Sequence, residues 1–387
     1  MTSTLPRQQV GPAPNARRNL PARLRNVLSL RDLESSASRV LPRPLFGYLQ
    51  GGVEDNVSLH ANTQAFRQWM LRPNVLVDVS ARDQCRNLLG RSYRSAFGIA
   101  PMGLCAMFAF EGDLAMARAA EEAGIPYLLS GASLTPMEKV AQAAPTCSWF
   151  QAYIPGEPAH IESLLERVEA AGFRTLVITV DTATLANREN NVRVGFSTPL
   201  RPSLRLAWDG LIRPRWLLGT LGRTYFKHGM PHFENAGKGR GLPIISSSAI
   251  RQFGLRDHLC WEHLALIRRM WQGKLVLKGL MSAHDVKRAE QHGVDGVILS
   301  NHGGRQLDGT APPLVVLPEA VKVKGQMALM LDSGIRRGTD VLKALALGAD
   351  YVFIGRPMAY AVAVGGQEGV THAIKLLRDE IHRDMAL

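Results

Sequence analysis

The stretch His292-Gly293-Val294-Asp295-Gly296-Val297-Ile298-Leu299-Ser300-Asn301-His302-Gly303-Gly304-Arg305 carries the plan of the chain in miniature. A charged segment ends in glycine, as helices do when their last residue takes the left-handed conformation. A short β-branched run follows and reads as a strand buried on both faces, since its apolar residues are continuous rather than alternating. The chain then turns polar at once, and two glycines let the backbone fold tightly while an imidazole and a guanidinium emerge together. Histidine titrates near neutrality, as a general base should, and arginine grips a carboxylate with two parallel hydrogen bonds. Alone, this stretch is also compatible with a solvated loop that happens to carry a histidine.

The same phrase recurs along the chain. Ala123-Gly124 precedes Ile125 to Ser130, Ala171-Gly172 precedes Thr175 to Asp181, and Leu347-Gly348 precedes Tyr351 to Gly355. Four further strand candidates fill the gaps: Phe97 to Met102, Ser148 to Tyr153, Lys274 to Lys278 and Ala328 to Asp332. Eight strands with intervening helices over about 290 residues predict an α/β chain of the (β/α)8 TIM barrel class. No G-x-G-x-x-G follows the first strand, which disfavours a dinucleotide fold. An N-terminal helical extension is expected ahead of the barrel. Ser29-Leu30-Arg31-Asp32 opens a helix toward Val40, Pro42 and Pro44 interrupt it, and a short helix over Leu45 to Gln50 ends at Gly51-Gly52. Residues 1–28 read as a basic flexible arm and 29–387 as a single barrel domain, with an irregular lead-in over Trp69 to Ser92.

A long inserted loop, 183–254, breaks the rhythm after strand four, before a helix expected to open near Leu255. Loops of this length are usually functional. Its middle mixes Trp208, Leu211, Trp216 and Phe226 with Arg205, Arg213, Arg215 and Arg223, a composition suited to a membrane interface, a lid or an oligomer contact. Gly237 to Gly241 reads as a mobile linker. The formal net charge of +13 calls for an anionic partner. The absence of any nucleic-acid motif argues against nucleic acid, leaving acidic lipid or small acids. Four scattered cysteines without a C-x-x-C pair argue for a reducing compartment and against a metal site. No apolar run is long enough to span a bilayer and no signal-peptide core is present, so a cytoplasmic location is expected.

Barrel chemistry sits where strands end, and these ends are polar. They present Ser130, Gln151 with Tyr153, Thr179 with Asp181, Lys278, Ser300 with His302, Asp332, and Gly355-Arg356. Strands seven and eight form the usual phosphate corner, here with Gly334, Arg336, Gly355 and Arg356, so a phosphate-bearing cofactor is expected. Lys278 is suited either to negative charge on a reduced flavin or to a Schiff base. Arg188 is a second carboxylate clamp or a surface cation. Tyr48 reads from its own surroundings as packing.

Ser300-Asn301-His302-Gly303-Gly304-Arg305-Gln306-Leu307-Asp308 resembles the signature of the FMN-dependent (S)-2-hydroxy acid oxidases and dehydrogenases. Matching motifs lie at Tyr48-Leu49-Gln50-Gly51-Gly52, Gln151-Ala152-Tyr153, Thr179-Val180-Asp181 and Asp332-Ser333-Gly334-Ile335-Arg336, in family order from about Leu41 onward. Asp209 to Trp216 and His228 to Pro231, within 204–231, resemble the membrane-binding segment of the family's mandelate dehydrogenases, and Gly103-Leu104-Cys105 resembles its membrane-bound lactate dehydrogenases.

The resemblance implies FMN as cofactor and oxidation of a 2-hydroxy acid to the 2-oxo acid. His302 would be the base, with Asp181 behind it. Arg188, Arg305 and Tyr48 would hold the substrate carboxylate, and Tyr153 its hydroxyl, with Gly103 beside the substrate. Pro101, Met102, Gly103, Ser130, Gln151, Thr179, Lys278 and Ser300 would face the flavin ring. Asp332, Gly334, Arg336, Gly355 and Arg356 would hold the ribityl and phosphate. The implied partners are a quinone or O2 as electron acceptor, an anionic membrane surface and further copies in a tetramer, with the enzyme peripheral on the inner face of the cell membrane. A soluble oxidase and a non-catalytic FMN-binding protein are the alternatives. Two positions depart from the family pattern. Met102 stands where a small or hydroxyl-bearing residue is usual, and Ala132 where glycolate oxidases carry a bulky aromatic, which leaves room for a larger substrate side chain.

Overall fold

The computed structural model describes residues 19–154, 156–197, 201, 203–246, 248 and 256–387. Three helices lead in: α1 Leu30–Val40, α2 Arg43–Gln50 and α3 Val57–Ala65. A hairpin follows, β1 Arg86–Leu88 with β2 Arg91–Tyr93, paired antiparallel. Eight parallel strands then close into the expected barrel. They are β3 Phe97–Ile99, β4 Tyr127–Ser130, β5 Ser148–Ala152, β6 Thr175–Thr179, β7 Lys274–Leu280, β8 Gly296–Leu299, β9 Ala328–Leu331 and β10 Tyr351–Ile354. The ring runs in chain order and β10 closes it against β3.

Continuous apolar strands fit this arrangement because each has one face toward the barrel axis and the other under a helix. Leu128, Val177, Val276, Ile298 and Met330 form one buried cluster with Trp149, Tyr351 and Phe353. Tyr93 and Leu88 of the hairpin join that cluster, and Trp149 Nε1 donates to the Tyr93 hydroxyl at 3.1 Å. The register sets Ser130 level with Gln151 and Thr179 level with Lys278, so polar residues arrive together at the C-terminal ends of the strands. Past Lys278 the register shifts at Gly279, whose φ is 109°. A Cβ there would meet the Asp181 side chain at 2.7 Å, so only glycine lets that carboxylate stand at the strand end.

Five local expectations are corrected. The first helix ends at Val40 ahead of Pro42, as expected, but the second opens at Arg43 rather than Leu45, with Pro44 in its first turn, where the missing N–H is no loss. The lead-in before the barrel holds the β1–β2 hairpin, whose turn residues Leu89 and Gly90 both have positive φ. The arm expected through residue 28 is packed in its latter part: Leu24 and Val27 are buried, and the Val27 carbonyl lies 2.9 Å from the His372 ring. Residues 1–18 lie outside the described residues. Gly237 to Gly241 is pinned rather than loose, since Arg167 Nη1 donates to the Gly237 carbonyl at 2.7 Å and Gly241 N to Phe233 at 2.9 Å. The helix expected near Leu255 runs over Trp261–Met270, and Leu255 itself lies outside the described residues.

Candidate active site

A cavity of about 620 Å³ opens at the C-terminal end of the barrel. Most of the residues expected at the site line it, from Tyr48, Pro101, Met102 and Gly103 through Gln151, Tyr153 and Thr179 to Gly355 and Arg356. Ser130, Asp181 and Ser300 are the exceptions and are buried or half-buried behind its wall.

His302 stands in the left-handed region at φ 58°, a conformation rare for a residue with a side chain. Its amide donates to Ser300 Oγ at 3.0 Å and the next amide, of Gly303, donates to Ser333 Oγ at 3.1 Å. Gly304 takes φ 73°, and a Cβ there would strike the Leu59 backbone nitrogen at 2.5 Å, so the loop lies flat on α3. Asn301 and Asn62 fasten it with reciprocal amide bonds of 2.8 and 2.9 Å. The Asp308 carboxylate accepts from the Val57 and Ser58 amides at 3.1 and 2.8 Å, capping α3 from the far end of the loop.

His302 Nδ1 lies 2.9 Å from Asp181 Oδ1. Burial pushes the Asp181 carboxyl up, but the imidazole and the Lys278 ammonium more than offset it and hold the group below its usual range. An ionised carboxylate only accepts, so Nδ1 carries the ring proton and Nε2 keeps its lone pair. Burial, helped by Lys278 and Arg188, holds His302 below its ordinary value despite the pull of Asp181. The ring is therefore a neutral base at pH 7.

Lys278 bonds Asp332 Oδ2 at 3.0 Å and Ser300 Oγ at 2.8 Å. Burial pulls its ammonium down, yet Asp332 and Asp181 raise it above its usual value. It stays charged, which suits charge stabilisation and not a Schiff base, whose lysine must be neutral to attack. Gln151 accepts from Ser130 Oγ at 3.2 Å, while its Nε2 is buried with no partner. Burial raises the Tyr153 phenol, which remains a protonated donor.

The cavity is crowded with cations. Arg305 donates to the Tyr48 and Gly51 carbonyls at 2.8 and 2.5 Å and lies 4.9 Å over the Tyr48 ring. Arg356 donates to the Leu49 and Gly51 carbonyls at 3.0 and 3.1 Å. Both therefore cap the C-terminal end of α2, where cations are favoured. Arg188 donates to the Arg305 carbonyl at 3.1 Å and to Gln306 Oε1 at 2.6 Å. Burial and Arg188 push Arg305 down to about 10, and burial and Arg305 push Arg356 down to about 9. Arg336 lines the same wall. Asp332 is the one acid lining the cavity among the described residues, and it is tied to Lys278.

Guanidiniums that lower one another's pKa in a cavity so short of acids call for a polyanionic occupant. A phosphate monoester and a carboxylate answer that charge, and the orphaned Gln151 Nε2 is a ready donor for a ring acceptor, so the residues fit FMN with an acid substrate. Sequence reading missed three contributors. Gln306 braces Arg188 and donates to the Asp181 carbonyl at 3.2 Å. Ser333 supports Gly303. Arg256, 6% exposed, lines the cavity with its guanidinium 4.6 Å over the Tyr153 ring. Gln306 lay inside the quoted signature, whereas Arg256 follows a linker-like run with no motif around it.

The chain is similar to known proteins along nearly its whole length. The family model for FMN-dependent dehydrogenases matches residues 37–387. The chain is 38% identical over 361 residues to (S)-mandelate dehydrogenase of Pseudomonas putida, covering 93% of this chain and 90% of that one. It is 38% identical over 362 residues to L-lactate dehydrogenase of Ectopseudomonas mendocina, covering 92% and 93%. The crystal structure of the monotopic membrane protein (S)-mandelate dehydrogenase superimposes with a TM-score of 0.85 at 38% identity, covering 93% of this chain and 95% of that one. A mandelate oxidase structure gives 0.77 at 32%, covering 93% and 94%. With this site in this barrel, and a match along nearly its whole length, the chain belongs to the FMN-dependent dehydrogenase family and is an FMN enzyme.

Proposed function

We propose that the chain oxidises an (S)-2-hydroxy acid with an apolar, mandelate-like side chain to the 2-oxo acid and passes the electrons to a membrane quinone. The observation that carries this reading is the His302–Asp181 pair, a neutral base on an ionised carboxylate, placed in a cavity rich in guanidiniums. FMN, when bound, supplies the two-electron acceptor. Arg305 and Arg188 hold the substrate carboxylate, with Tyr48 at its side, and Tyr153 donates to the hydroxyl. His302 Nε2 takes a substrate proton, and Asp181 stabilises the imidazolium that results. Lys278 and the Gln151 amide would lie against the cofactor ring, a cation and a donor suited to negative charge, while Arg336, Arg356 and the exposed glycine amides of the phosphate corner would hold its phosphate.

Substrate size follows from the wall. Ala132 leaves space beside Gly103, and Leu185, Phe196 and Phe233 line the same cavity, an apolar surface suited to a phenyl ring. Membrane association is supported by the inserted segment, which exposes Leu204, Trp208, Leu211, Leu218 and Phe226. No described helix is long and apolar enough to cross a membrane. The exposed run Met70 to Val77 supports self-association. Rapid-mixing reoxidation tests the acceptor: the reduced enzyme should reoxidise with a soluble quinone much faster than with air. Faster reoxidation in air would replace the quinone with O2 and make the enzyme an oxidase.

A further inference from the structure

Away from the barrel mouth, four arginines converge on a second cavity of about 300 Å³. Arg39 comes from α1, Arg213 and Arg215 from the inserted segment, and Arg23 from the stretch before α1. No carboxylate lines the cavity among the described residues. Glu368, itself largely exposed, bonds Arg23 at 3.0 Å. The inserted pair is held by backbone oxygens. Arg213 donates to the Leu41 and Ser38 carbonyls at 3.2 and 3.3 Å, and Arg215 donates to Val364 at 3.1 Å. Carbonyls orient these cations without neutralising them. Partial burial, joined by the neighbouring Arg23, holds the Arg215 guanidinium below its usual range.

Ile212 shows what adjoins this cavity. It lines the wall and is 44% exposed, next to Leu211 at 60% and on the segment that bares Trp208 at 64%. Apolar side chains in water beside clustered arginines match a lipid–water boundary, where rings and acyl-contacting residues lie next to cations that meet the headgroups.

We propose that this cavity is a headgroup site for the phosphodiester of an anionic phospholipid, occupied while the inserted segment lies in the bilayer interface. The assignment to lipid rests on the membrane-surface reading above. Guanidinium forks bond two oxygens of one phosphate, and several forks around one cavity fix it in place. A soluble phosphate satisfies the same forks but leaves Ile212 and Leu211 in water, whereas the start of an acyl chain covers them.

The test is calorimetric titration of the FMN-loaded protein with dihexanoyl phosphatidylglycerol below its micelle concentration. Dihexanoyl phosphatidylcholine and inorganic phosphate serve as parallel probes. One phosphatidylglycerol should bind per chain, with both other probes weaker by roughly tenfold or more. Arg39→Gln with Arg215→Gln should weaken the lipid by roughly tenfold or more, since each cation near an anionic headgroup contributes severalfold. Arg201→Gln with Arg205→Gln removes the same charge from the inserted segment outside the cavity and should leave binding within about twofold. All variants should keep wild-type FMN reduction by substrate, which certifies the fold. Equal losses in the two pairs would make the attraction diffuse and overturn the site, as would the absence of lipid binding. Inorganic phosphate binding as tightly as the lipid would reassign the cavity to a soluble anion and overturn the lipid proposal. Flotation with phosphatidylglycerol vesicles tests the underlying reading by itself. Protein that binds the short-chain lipid yet stays out of the vesicle layer would refute membrane association and leave the headgroup site standing.

Discussion

His302 works from a backbone conformation that favours glycine, and the residues around it exist to hold it there. Replacing it by Ala should leave FMN bound and slow flavin reduction by about 10²–10⁴-fold in anaerobic rapid mixing. Reduction at the wild-type rate would remove His302 from the base role. Its lowered pKa fixes the pH profile. Protonation disables the base, and burial means that protonation needs a pH below the ordinary histidine value. The plot of kcat/KM against pH should therefore stay level down to about 6.5 and fall only below it. A midpoint above that value would mean that Asp181 outweighs burial. Lys278 makes a different prediction. Lys278→Met leaves Asp332 buried without its cation and should cost about 3–5 kcal/mol of holoenzyme stability in urea unfolding. Adding Asp332→Asn should return part of that loss, because the stranded charge is gone. A single variant as stable as wild type would deny the pair its structural weight.

Between the signature loop and α3 the coupling is tighter than the catalytic chemistry alone requires. Of the signature residues, His302 and Arg305 face the cavity, while Asn301 and Asp308 fasten the loop to α3. Asn62→Ala strands the buried Asn301 amide and should cost about 1–3 kcal/mol, with a lower reduction rate as the loop loosens. Unchanged urea stability would show that the amide pair carries no load. This division explains what was legible in the sequence. The strands were readable because a glycine-ended helix and a continuous apolar run have one structural meaning in a parallel sheet. The hairpin was not, because Leu89-Gly90 lacks the Asn-Gly or Asp-Gly signal of a tight turn. The start of the second helix was placed two residues late because a proline that breaks a helix interior is welcome in a first turn. The facing pairs, His302 with Asp181 and Asn301 with Asn62, join residues far apart in the chain, and only closure of the barrel makes them neighbours. Arg256 stands outside every motif quoted from the sequence.

Across the whole molecule, the inserted segment is both anchored and exposed, and this decides how membrane association should be tested. Trp216 is buried and its Nε1 donates to the Met107 carbonyl at 2.7 Å, so deleting the segment would open the barrel's outer core. The cleaner variant changes only exposed positions: Trp208→Glu, Leu211→Glu and Phe226→Glu together should abolish vesicle binding and leave FMN reduction intact. Vesicle binding that survives would place the membrane contact elsewhere. All of this presumes that the guanidinium-lined cavity takes a 2-hydroxy acid against FMN. Anaerobic mixing of the FMN-loaded enzyme with (S)-mandelate, followed at the flavin absorbance, reads that step without any acceptor. The flavin should bleach fully with the S enantiomer and stay oxidised with the R enantiomer. A flavin that stays yellow with (S)-mandelate, with L-lactate and with longer (S)-2-hydroxy acids would contradict the assignment of this site.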